Sequence, residues 1–263
     1  MKGLLLSEWL KVRTTRLGWG LAAGGLALVA LYVTILTLAG ASSSGSSGPG
    51  GNFTLSDPAS IRTIYGVPFE VGFVIPLVMG ITMISGEFRH QTITPTLLAT
   101  PRRSRVLVAK GVVAAGIGLV LGLLMTAVTV GLGGLLIAVK HHPVLLGSHG
   151  IPRLLVVMVA GLGVWGVFGL GFGALLKNQV AAIVTALALM LIVDNLLAAG
   201  LRQIHLGWLA AILPSSASSA IVQPSTTSAS NLLPWWGGGL ALLGWGIGTA
   251  ALGSLLTLRR DVT

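Results

Sequence analysis

Six apolar runs of roughly membrane-crossing length, almost free of charge, constrain this chain more than any other feature. They cover residues 17–39, 66–85, 111–139, 154–176, 179–201 and 235–258, and only Glu70 and Asp194 put an acidic or basic residue inside them. About 20 apolar residues span the hydrocarbon of a bilayer as a helix. Strand-type alternation over ten-residue segments is absent, which excludes a barrel, so helices must satisfy the backbone in lipid. Only 8% of the residues are Asp, Glu, Lys or Arg, against about a quarter in a soluble domain. With a mean hydropathy of +0.93, the chain cannot build a polar shell in water. The expected fold is an all-α membrane protein with six transmembrane helices in one domain, residues 1–263.

Charge sets the orientation. Of the 16 Lys and Arg residues, twelve fall before span one, between spans two and three, between spans four and five, or after span six. The four on the alternate side are Arg62, Lys140, Arg153 and Arg202. Basic residues accumulate on the cytoplasmic side of short loops, so both termini are expected inside. The net charge of +10 is spread between apolar runs instead of forming a water-facing patch, and no nucleic acid partner is expected. The chain has no cysteine, which excludes disulfides and thiolate chemistry. The apolar part of the first run exceeds the ~7–15 residues of a signal core, so it reads as a retained span.

The linkers divide into plain and informative ones. Residues 42–51 are Gly/Ser-rich and flexible in character. Lys177-Asn178-Gln179 is so short that spans four and five are expected to form a hairpin. The connection 202–234 contains an apolar stretch, 206–213, too short to span; it is expected to lie in the interface or re-enter. Residues 2–15 read as an amphipathic interfacial helix. Leu6, Trp9 and Leu10 fall on one face with Leu5 and Val12 beside them, and Glu8, Lys11 and Thr15 on the other, a pattern suited to membrane lipid. A plain positive flank that only sets orientation is the alternative. Residues 86–110 are the longest cytoplasmic connection, broken by turns at Thr94-Pro95 and Thr100-Pro101, and read either as a docking surface for a soluble partner or as a solvated basic loop.

The pattern Ser85-Gly86-Glu87-Phe88-Arg89-His90-x-Thr92-Ile93, then Leu97-Leu98-Ala99-Thr100-Pro101-Arg102-Arg103 and Lys110, resembles the ABC-2-type transporter permeases. Within that family it is most similar to short forms from high-GC Gram-positive bacteria. Ser7-Glu8-Trp9-Leu10-Lys11-x-Arg13-Thr14-Thr15-Arg16 resembles their N-terminal interfacial helix, and Leu213-Pro214-Ser215-Ser216 fits the segment before the last span. Gln91 stands where the family usually has glycine. The resemblance implies a half-exporter in a bacterial plasma membrane that works with a soluble ABC ATPase subunit and a second permease copy or paralogue. Segment 86–110 would carry the coupling helix. Glu87, Arg89 and Thr92 would make or brace the ATPase contact, with Arg102, Arg103 and Lys110 on a membrane-facing basic rim. No phosphate-binding G-x-x-x-x-G-K-[ST] occurs, so ATP and Mg would sit on the partner, and this chain itself would hold no cofactor and be no enzyme. An amphiphilic cargo such as a drug, antimicrobial peptide or lipid is expected.

Other signals are weaker. Gly161-x-Gly163-x-x-Gly166 matches a dinucleotide fingerprint, yet it lies inside span four with no strand before it, and close helix packing explains it better. G-x-x-x-G pairs at Gly20/Gly24, Gly118/Gly122, Gly169/Gly173 and Gly244/Gly248 are expected by chance among 38 glycines. Asp194 and Asn195, and Glu70, each near the outer end of its span, are transport-path candidates, with a structural or wetted role as the alternative. His141, His142 and His149 share an outer loop without an acid and read as solvated. The competing functions are an ion-coupled secondary transporter, or a membrane anchor of a soluble complex. Because the chain lacks cysteine, Ser7→Cys and His142→Cys give single labels. A membrane-impermeant maleimide on intact cells is expected to modify the second and not the first; the reverse pattern would invert the topology.

Overall fold

The computed structural model describes the backbone of residues 2–42, 53–89, 103–176, 178–223 and 233–259, and among these every regular element is helical. Helix α1 (Lys2–Thr14) is followed by α2 (Arg16–Ser42). Thr14 and Thr15 hydroxyls donate to the carbonyls of Leu10 and Lys11, and the Trp19 indole donates to Arg13 O at 2.8 Å. These side chains satisfy the end of α1 and let the chain turn without glycine or proline.

Helix α3 (Pro58–Glu70) and α4 (Val74–Arg89) form one broken rod. Asp57 caps α3 through Ala59 N, with Pro58 at the first position, a start signal that places the helix eight residues before the expected span. The rod breaks over Val71–Phe73. Glu70 therefore sits at the break, about 18 Å along the axis from Pro58 at ~1.5 Å per residue, instead of near the outer end of its span. Helix α5 (Arg103–Val128) passes through a π-turn (Thr129–Gly133) into α6 (Gly134–Val139). Then come α7 (Ile151–Leu175) and α8 (Gln179–Ala188), a second π-turn (Leu189–Val193), and α9 (Asp194–Gln203). The short α10 (Gly207–Ile212) and α11 (Pro214–Val222) fold back onto the bundle before α12 (Trp235–Arg259).

Among the described residues, five helical rods are long and apolar enough to cross a membrane: 16–41, 58–89, 105–139, 151–175 and 179–203. The expected sixth span, residues 235–258, falls on α12, a helix of 25 residues. Helix α7 is the hub, packed against α4, α5 and α12. In the most apolar window, 72% of the α3–α4 rod and 61% of α7 are buried, against 22% of α2 and 17% of the α8–α9 rod, so the last two are peripheral.

Glycine is what lets α7 approach its neighbours. A Cβ at Gly169 would collide with the Leu77 carbonyl, one at Gly80 with the Gly166 carbonyl, and one at Gly118 with the Leu162 carbonyl. The fingerprint-like glycines Gly161, Gly163 and Gly166 face Phe69, Leu119 and Ala114, so they are packing residues. Of the G-x-x-x-G pairs, Gly118/Gly122 and Gly169/Gly173 lie in such contacts, whereas Gly20/Gly24 and Gly244/Gly248 have open space beside them. Gly169→Leu is expected to lower stability by about 3 kcal/mol or more, because the obstacle is backbone. Gly24→Leu is expected to change it by less than about 0.5 kcal/mol. Unfolding of the two variants in detergent by a graded denaturant, followed by circular dichroism, measures the difference.

Candidate functional site

Four charged side chains meet where α1, the end of α4 and the start of α5 converge. Lys110 Nζ lies 2.6 Å from Glu8 Oε2 and 2.8 Å from Glu87 Oε1, and Lys11 Nζ lies 2.8 Å from Glu8 Oε1 and 2.8 Å from Glu87 Oε1. The third Lys110 proton reaches Met83 O at 3.3 Å. The side chains of Lys110, Glu8 and Glu87 are 2%, 4% and 9% exposed, while that of Lys11 is 48% exposed. The quartet is neutral, and each buried charge has an opposite partner, which is the condition for removing such groups from water.

Burial works to raise the Glu8 carboxyl. The Lys110 charge and the hydrogen bonds from Lys11 and Lys110 outweigh it and hold the group below its ordinary value of 4.5. Burial likewise works to lower Lys11, and the bonds to Glu8 and Glu87 outweigh it, raising the ammonium above 10.5. The Glu8 contribution is therefore complete above pH 4.5 and lost as pH falls through its depressed value; that of Lys11 is complete below pH 10.5 and lost as pH rises through its raised one.

Leu6, Trp9 and Leu10 are exposed on the side of α1 away from the quartet. A cavity of about 470 Å³ opens beside the ion pairs, between the α1–α2 elbow and α4, lined by Lys11, Leu21, Met79, Met83 and Gln179 among others. Glu87 and Lys110 thus face the bundle interior: Glu87 is turned away from a surface contact, and Lys110 leaves the basic rim for the quartet. Arg89 is exposed, with Nη1 3.5 Å from Gln179 Oε1. Thr92, Arg102, the Thr-Pro turns and the Arg103 side chain lie outside the described residues.

The other candidates gather at the break in the α3–α4 rod. A cavity of about 190 Å³ is lined by Glu70, Phe73, Trp165, Asn195 and Ser218, with Met190 and Leu191 of the second π-turn. Asn195 Nδ2 donates to Leu191 O at 3.1 Å, tying it to its own helix. Asp194, 4% exposed, accepts from Ser215 N at 2.7 Å. Its carboxylate caps the first turn of α11 from a neighbouring rod, so Asp194 anchors the folded-back segment and does not line this cavity.

Arg62 was legible only as an outer-side charge. It is 4% exposed, and its guanidinium donates to the carbonyls of Val222, Ile221 and His149. It closes the end of α11 and pins the histidine loop. Gly150, at φ +70°, turns beside it where a Cβ would lie 3.1 Å from Arg62 Nη1. Glu8 and Lys110 as partners of Glu87 were also missed. The one available signal was the scarcity of acids, only six in the chain, with Glu8 in the same segment as Lys11 and Glu87 in the same connection as Lys110.

Lys110→Met leaves two buried carboxylates sharing Lys11, and is expected to destabilise by about 3–5 kcal/mol. Lys11→Met is expected to cost about 1 kcal/mol or less. Adding Glu87→Gln to Lys110→Met is expected to recover part of the loss, which a double-mutant cycle in the same denaturation assay reads. The midpoint of the unmodified chain is expected to fall below pH 4.5 and above pH 10.5. Searched against protein families and against curated proteins, the chain matches no family model and no curated protein.

Proposed function

We propose that this chain is the membrane-spanning permease subunit of an ATP-driven exporter, with α12 as a sixth span and both termini cytoplasmic in a bacterial plasma membrane. It works as a pair with a second copy or paralogue and moves an amphiphilic substrate outward, while a separate ATPase subunit binds ATP and Mg. The observation that carries this reading is the buried quartet. Glu87 and Arg89 lie in the last turn of α4, just before the segment with the coupling-helix pattern. The quartet ties that turn to α1 and α5. A push delivered after Arg89 would reach three helices at once through contacts too costly to break singly. Arg89, exposed beside the quartet, is the residue best placed to meet a soluble partner, and Glu87 braces it from within.

A second reading, a gradient-driven transporter, draws on the broken rod. A carboxyl at a helix break within a membrane-length rod is how ion-coupled carriers build their sites. A mild-detergent pull-down from the native membrane separates the two. Retention of a stoichiometric ABC ATPase, reduced about tenfold by Arg89→Glu (~1.4 kcal/mol of contact energy), is expected of the exporter. An intact chain that brings down no ATPase, with transport that follows the proton gradient in ATP-free vesicles, would overturn it.

A further inference from the structure

The small cavity at the break in the α3–α4 rod holds more unsatisfied polarity than packing explains. Trp165 is 2% exposed, and its Nε1 has no hydrogen-bond partner among the described residues; the same holds for the buried Ser218 Oγ. Both residues line the cavity. Glu70, exposed at its mouth, makes no ion pair or hydrogen bond among the described residues. Buried polar atoms are almost always paired, so the two orphans, Trp165 Nε1 and Ser218 Oγ, mark a place where something else belongs, and the Glu70 carboxylate borders the same cavity. Two irregular backbone segments, the break at Val71–Phe73 and the π-turn Leu189–Val193, meet at the same place. Irregular backbone within membrane-length rods is tolerated where it lines a cavity, and π-turns are frequent at functional sites.

The lining says what fits. Phe73 and Trp165 stack with ring centroids 4.5 Å apart and an interplanar angle of 37°, presenting aromatic surface next to a carboxyl. That combination favours a desolvated organic cation, held by the ring faces and by the negative group. The indole N–H asks for an acceptor, and the Ser218 hydroxyl can serve either way. At about 190 Å³ the space is smaller than the ~300–1,000 Å³ of a drug-sized pocket. No basic residue lines the cavity among the described residues, which argues against an anion.

We propose that this cavity is a binding site for a small organic ammonium ion that also carries a hydrogen-bond acceptor, with Glu70 as its counter-charge, Phe73 and Trp165 as its aromatic wall, and Trp165 Nε1 and Ser218 Oγ as its polar contacts. It deepens the pathway part of the exporter reading but does not require the ATPase, so its failure leaves the pull-down result untouched.

The test is equilibrium binding to the purified full-length chain in nanodiscs, by isothermal titration calorimetry. The probes are choline and its uncharged isostere 3,3-dimethylbutan-1-ol. Choline is expected to bind saturably, at least about tenfold more tightly than the isostere, since a desolvated cation–aromatic contact is worth about 1–2 kcal/mol. Glu70→Gln is expected to remove that preference, and Trp165→Phe, which keeps a ring but deletes the donor, to weaken choline about fivefold. The comparison of the two probes on the unmodified chain needs no variant to fold. Equal binding of both probes would overturn the assignment, as would absence of saturable choline binding, which would mean the cavity holds water alone. A Glu70→Gln variant that folds and keeps the full preference would overturn it too.

Discussion

Apolar helices gain little from one another in lipid, because the surrounding tails are as apolar as their own side chains; what holds them is close contact. In this protein the contact runs through one rod. Helix α7 brings its backbone against α3, α4, α5 and α12 at Gly161, Gly166, Gly169, Gly171 and Gly173, positions where a methyl would strike a neighbour's main chain or a buried ring. Against α7 the α3–α4 rod is held along most of its length, and Phe73, Trp165 and Phe168 form an aromatic cluster. The α2 and α8–α9 rods lie at the periphery.

Charge is confined to places where this packed centre needs fastening. At one end the neutral quartet of Glu8, Lys11, Glu87 and Lys110 ties α1 to α4 and α5. At the other, Arg62 gathers three carbonyls from α11 and the histidine loop. Asp194 caps the opposite end of α11, so the folded-back segment is clamped at both of its termini. A charge removed from water is costly unless it is paired or hydrogen-bonded, and each of these groups has such partners. The buried Trp165 Nε1 and Ser218 Oγ have no partner among the described residues, and with the exposed Glu70 they line one cavity.

That contrast organises the functional reading. The fastened end receives the chain just before the segment whose pattern resembles a coupling helix, and suits the delivery of force. The unfastened region lies where two membrane-length rods lose regular helical geometry, and suits the holding of a solute. A broken rod joins them: α4 runs from Val74, next to the cavity-lining Phe73, to the quartet at Glu87, so a shift at the quartet is carried toward one wall of the cavity.

Much of this was legible in the sequence. The apolar runs and the sparse charge require helices in lipid, because nothing else satisfies the backbone there. The face carrying Leu6, Trp9 and Leu10 was readable from spacing, and the fingerprint-like glycines of α7 were readable as packing residues from their place inside a span. What the chain alone could not decide depends on which helices become neighbours. Glu87 was legible as an acid in the longest charged connection, but its burial requires Glu8 and Lys110, 79 and 23 residues away in the chain, to arrive at the same point. Glu70 was placed near an outer end because hydropathy marks where lipid begins and not where a helix starts; the Asp57-Pro58 cap extends the rod and moves the carboxyl to its break. Asp194 becomes an anchor only because Ser215 lies opposite it. Local pattern determines which segments enter the membrane, since that depends on each segment's own transfer from water. The partners of a charge are set by packing between segments distant in the chain, and only the tertiary structure supplies them.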